Sequence, residues 1–99
     1  SMSDYEALPS FLSSPREDVR VAAAEAVAAY SAHADHLPAL CAHDGRLLPP
    51  LLQMLPAGAA AVHAATALTN LAAQPATRAK LIELGGVDAA VRGVCASES

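Results

Sequence analysis

The chain has 99 residues, enough for one small domain that buries about two-thirds of the surface its unfolded form exposes. Hydrophobic residues make up 54% and aromatic ones 3%, so the interior must come from many small side chains on closely approached helices rather than from a few large anchors. A net charge of −4 with no cluster of Lys or Arg argues against nucleic acid, and no apolar run approaches the ~18 residues of a membrane span, which leaves protein as the expected partner.

Ser1 ahead of Met2 reads as the scar of a removed tag, with residues 1–3 as an N-terminal extension. Ser3-Asp4-Tyr5-Glu6 has the form of a capping box, and Leu8, Phe11 and Leu12 make an apolar stripe, so the first helix is predicted over residues 4–12. Ser14-Pro15-Arg16-Glu17 repeats the start signal with Pro at the first helical position. Val19, Ala23, Ala26, Val27 and Tyr30 then recur at helical spacing, which predicts a long helix ending near Ala32. A short third helix carrying LPALCA is expected next, with Asp35 as its N-cap, Pro38 in its first turn and Asp44-Gly45 as its stop. Leu48, Leu51, Leu52 and Leu55 mark a fourth helix that Pro56-Ala57-Gly58 breaks.

From Ala59 the long-helix pattern returns. Ala60, Ala64, Ala67, Leu68 and Leu71 occupy the relative places of Val19, Ala23, Ala26, Val27 and Tyr30, at an offset of 41 residues. Helical solenoids repeat at a period of ~40, and their units stack because none buries its apolar face alone. Asn70-Leu71-Ala72 closes this helix, Pro75 opens the next, and Gly85-Gly86 ends that one. Val87, Val91 and Val94 begin a further helix with nothing after it to cover them, and residues 95–99 form a tail. Residues 4–94 are therefore expected to be one all-α repeat domain, about two repeats and the start of a third, cut from a longer array. The Val87, Val91 and Val94 strip is an exposed end where a truncated chain would self-associate. Tyr30 is expected between the repeats, its hydroxyl reaching the loop at His33 or Asp35.

The order NLA, short polar loop, RxxLIELGGV and apolar helix resembles the armadillo repeat. That likeness implies a right-handed armadillo/HEAT-like helical solenoid whose third helices line a peptide-binding groove. Carried over by position, Asn70 matches the family's groove asparagine. Glu25 and Thr66 fall where karyopherin-type members have Trp, and Ala29 falls where the first repeat's Asn would be, so His63, Glu25, Ala29, Thr66 and Asn70 mark the implied contact face. A solvated or helix-capping amide is the alternative reading of Asn70. Over residues 5–94 the chain also resembles the start of the armadillo-type chaperone family for translation elongation factor 2. This second likeness implies a cytoplasmic, non-enzymatic adaptor that brings elongation factor 2 to the ring-shaped chaperonin. A general peptide-binding adaptor of importin or scaffold type is the alternative.

Little in the sequence points to chemistry. His33, Asp35, His36, Cys41, His43 and Asp44 are all possible zinc ligands, but no Cys-x2-Cys pair anchors them, and a polar inter-helix loop is the better reading. Gly85-Gly86 lacks the residues that follow the glycines of a phosphate loop. No Ser, His and acid fall in a context that would aim a nucleophile, so no catalytic residue, cofactor or metal is assigned. Cys41 and Cys95 read as reduced, mostly buried thiols.

Overall fold

The computed structural model describes residues 2–56 and 58–85, with side chains from residue 5 onward. These residues form six α-helices and no strand: α1 (Met2–Leu12), α2 (Glu17–Ser31), α3 (Leu37–Cys41), α4 (Asp44–Met54), α5 (Ala61–Leu71) and α6 (Pro75–Glu83). None of them is long and apolar enough to cross a membrane. Val87, Val91, Val94 and Cys95 lie outside the described residues, as does the helix expected there.

Four helix starts, those of α1 to α4, differ from the sequence expectation. α1 begins at Met2, so the segment set apart as an N-terminal extension enters the first helix. α2 begins at Glu17, with Arg16 extended at the N-cap and Pro15 outside the helix; Glu17 and Asp18 supply the negative charge that the exposed N–H groups of a first turn favour. The third correction is the largest. Asp44-Gly45, expected to stop α3, instead forms the first turn of α4, while α3 has His36 rather than Asp35 at its N-cap and ends at Cys41. A Cβ at Gly45 would meet nothing within 4 Å, and Gly45 has no positive φ. Pro49 and Pro50 inside α4 deprive the Gly45 and Arg46 carbonyls of their intrahelical donors, and both residues are exposed.

The ends of α5 and α6 follow the reading closely. Ala60, Ala64, Ala67, Leu68 and Leu71 are all buried. Pro75 is at the start of α6, where its missing N–H costs no bond. Gly85 has a φ of 75°, the left-handed geometry that ends a helix without a Cβ clash, and its N–H bonds the Ile82 carbonyl at 3.0 Å.

α1 packs against α2 and α4 against α5, and the two pairs stack: α2 lies on α5, the most extensive contact among the described helices, and α1 lies on α4. α3 wedges against α1, α2 and α5, and α6 closes on α4. Leu12, Val27, Leu40, Leu47, Leu48, Leu51 and Leu71 are fully buried and fill the space between the pairs. Where α2 meets α5 the buried residues are mostly alanine, Ala24 and Ala28 on one side, Ala64 and Ala67 on the other, so the backbones approach closely.

Candidate protein-binding surface

The five residues implicated by resemblance are on the two helices that pack most closely. Glu25 and Ala29 are one turn apart on α2, and His63, Thr66 and Asn70 follow each other along α5 at spacings of three and four. Glu25, Ala29 and Thr66 are exposed, whereas His63 and Asn70 are half-buried. Of the five, only Asn70 has a hydrogen bond across the seam between α2 and α5 among the described residues.

Asn70 crosses that seam. Its Nδ2 donates to the Ala28 carbonyl at 3.4 Å and to Ser31 Oγ at 3.2 Å, 42 and 39 residues upstream, on either side of the 41-residue sequence repeat. The bond to a carbonyl, which can only accept, fixes which end of the amide is nitrogen. Buried Ser31 donates its own proton to the Ala28 carbonyl at 3.1 Å, so its hydroxyl is satisfied in both directions. Among the described residues no donor reaches Asn70 Oδ1, and no buried side-chain polar atom lacks a partner, so this oxygen opens to solvent. Ser31 was the partner that sequence reasoning missed. Its only signal was a hydroxyl at the end of an alanine-rich helix that has no other side-chain polar group on its buried face.

The polar segment from His33 to Asp44 does not gather into one site; its members go to different parts of the fold. His36 hydrogen-bonds through Nδ1 to the Tyr5 hydroxyl. Its ring lies 5.2 Å from that of Tyr30 and 6.1 Å from that of His33, and Tyr5 meets Tyr30 edge-on at 5.7 Å. The phenol that reaches the loop is therefore Tyr5 of α1, and Tyr30 is half-buried on the α1 side of α2 rather than between α2 and α5. Edge-on aromatic contacts of this kind are worth about 1 kcal/mol beyond their area. Tyr5→Phe keeps the ring contacts and loses only the bond to His36, so it is expected to cost about 1 kcal/mol, read as a lowered midpoint in urea with an unchanged slope.

Asp44 turns away from the histidines. It is 3% exposed and accepts from Lys80 Nζ at 2.6 Å and from the fully buried Thr77 hydroxyl at 3.2 Å, tying the start of α4 to α6. The hydrogen bond from Lys80 to Asp44, and then the charge of that carboxylate, hold the Lys80 ammonium above its ordinary pKa. Cys41 is a free, half-buried thiol packed at the edge of the core. Among the described residues no group of three or more His, Cys, Asp or Glu side chains is placed to hold a metal ion.

Comparison of the chain with protein-family models, with curated proteins and with solved structures finds no match.

Proposed function

We propose that the chain is a non-enzymatic protein-binding module, an armadillo/HEAT-like right-handed solenoid of about two repeats and the start of a third, whose α2–α5 face holds an extended polypeptide. The observation that carries this reading is the posture of Asn70. Its NH2 is fixed across the seam by Ala28 and Ser31, and its carbonyl oxygen is left as an acceptor for an incoming backbone N–H. An amide held by two bonds loses little freedom when it binds, which favours affinity. Exposed Ala29 and Thr66 on the same surface are small enough to let a peptide backbone approach. Stacking of α1 on α4 and α2 on α5 supports the repeat reading, because the helices related by the 41-residue offset are the ones that pack.

The sequence likeness to the chaperone family for translation elongation factor 2 names the client: elongation factor 2 on its way to folding, in the cytoplasm, with the ring chaperonin as second partner. The chain is to be used as bait in a cytosolic extract beside an Asn70→Ala variant. Recovery of elongation factor 2 and chaperonin that falls several-fold in the variant is the expected result. Asn70→Ala also removes the two seam bonds, so a stability loss of about 1 kcal/mol is expected with it, and the comparison is to be made well below the variant's melting temperature. Recovery of neither protein would overturn the client assignment. Binding of a basic peptide that weakens steeply with salt would instead place the chain among adaptors of importin type.

A further inference from the structure

The 41-residue repeat relates surfaces as well as helices. α2 covers α5 with a narrow edge of small residues: Ala24, Ala28 and Ser31 are buried, and Asn70 of α5 reaches the Ala28 carbonyl and the Ser31 hydroxyl. Forty-one positions on stand Ala65, Thr69 and Ala72, at the same spacing along α5 and its C-cap and just as small. Ala65 and Thr69 are nevertheless exposed, and Ala72 is half-buried. α5 therefore carries the covering edge a second time, facing outward.

The receiving surface is repeated as well. Ala60, Ala64, Ala67 and Leu71 are buried where the α1–α2 pair lies on the α4–α5 pair. Their counterparts Val19, Ala23, Ala26 and Tyr30 line an open apolar groove between α1 and α2, together with exposed Ala22 and Phe11. In the internal contact two helices meet two helices, α2 on α5 and α1 on α4, so an occupant that repeats it at the groove presents a helix pair. The α4–α5 pair of another copy is such a pair, with its covering edge exposed.

We propose that the chain assembles head to tail with copies of itself, the α4–α5 pair of one copy seated on the α1–α2 groove of the next by the same stacking that joins the two pairs within the chain. The two ends carry opposite charge. Apart from the internal ion pairs Arg16–Asp18 and Lys80–Asp44, α1 and α2 bear Glu6, Glu17 and Glu25 against Arg20, whereas α4 to α6 bear Arg46 and Arg78 against Glu83, among the described side chains. That difference draws unlike ends together and holds like ends apart. Small residues on both surfaces let the helix backbones approach as they do at the internal α2–α5 contact. Such a contact is heterologous: every dimer keeps one unused groove and one unused edge, and further copies add in an open row. None of the five residues of the α2–α5 face belongs to either surface, so this site is separate from the polypeptide-binding one.

Sedimentation of the full chain between about 10 µM and 1 mM tests this, and the average mass is expected to rise with concentration past that of a dimer. Two variants at exposed alanines separate the ends. Ala22→Glu blocks the groove and Ala65→Glu blocks the covering edge, and neither position is in the core, so the melting temperatures should stay unchanged. Each variant alone is expected to associate about tenfold or more weakly than the wild type. Mixed in equal amounts, the two retain one intact edge and one intact groove between them and are expected to form a dimer of one each that grows no further. A wild type that remains monomeric at the highest concentration would overturn the proposal, as would a variant that associates like the wild type or a mixture that stays monomeric. Wild-type association that stops at a dimer would overturn it too, by showing a symmetric contact instead.

Discussion

Leu71→Ala is expected to lower the stability of this domain by about 4 kcal/mol, toward the upper end of what a buried leucine costs when truncated. Leu71 ends α5, has no exposed surface, and belongs to a helix that packs against α2, α3 and α4 at once. The size of the effect depends on whether the cavity can close. Along the α2–α5 contact its closure is limited, because the buried alanines there, Ala24, Ala28, Ala64 and Ala67, have Cβ atoms fixed to helix backbones and no longer chain to swing inward. A domain of this length has a total stability of about 5–15 kcal/mol, so the variant would lose roughly a quarter to most of it. Urea unfolding checks it, with Val62→Ala, 73% exposed on the same helix, as the control that should shift by less than about 0.5 kcal/mol. A Leu71→Ala loss below about 1 kcal/mol would mean that α5 is packed otherwise.

The second large effect is expected at Asp44. Asp44→Ala removes the acceptor of two charge-assisted bonds and leaves the Thr77 hydroxyl buried without a partner, a loss of roughly 3 kcal/mol. Lys80 is half-exposed and recovers water when the carboxylate goes, so Thr77 and the Asp44 site itself account for most of the cost. Thr77→Val in the Asp44→Ala background should restore part of the loss, since it removes the orphaned hydroxyl. The ion pair also has a pH signature. The Lys80 pKa is raised in the folded state, so its contribution is fully present below the unfolded lysine value of ~10.4 and disappears as the pH climbs through the higher folded value. The stability gap between the wild type and Lys80→Gln should accordingly be flat from pH 7 to about 10 and narrow only above that. A gap that closes between pH 4 and 7 would point to a carboxylate instead.

These two sites differ in how far the sequence announced them. Leu71 was visible because it ends a helix whose apolar positions recur every three or four residues and recur again 41 residues earlier, so periodicity alone put it inside. Asp44 was visible only as a residue type. Next to Gly45 it reads as a turn, and nothing local says that Thr77 and Lys80, 33 and 36 residues on, will be brought to it. The same holds for Tyr5 and His36. An aromatic at the start of α1 and a histidine in a polar loop look like surface, and their hydrogen bond exists because α1 packs against α2 and the turn after it. Tyr30 was assigned to the wrong side of α2 for a related reason: spacing gives a helix an apolar stripe but does not say which neighbour each edge of that stripe will meet.

By itself, then, the sequence determined that the described residues are all helical, roughly where α2, α4, α5 and α6 run, and, for α5, which residues are buried, because helix periodicity, proline and glycine act over a few residues and need no partner. Only the tertiary structure decided what the polar side chains do. It gave Asp44 to α6 rather than to the histidines, and locked the Asn70 amide across the seam with its oxygen outward. The physical reason is range: a polar group must satisfy its hydrogen bonds wherever packing carries it, and packing brings together residues some forty positions apart.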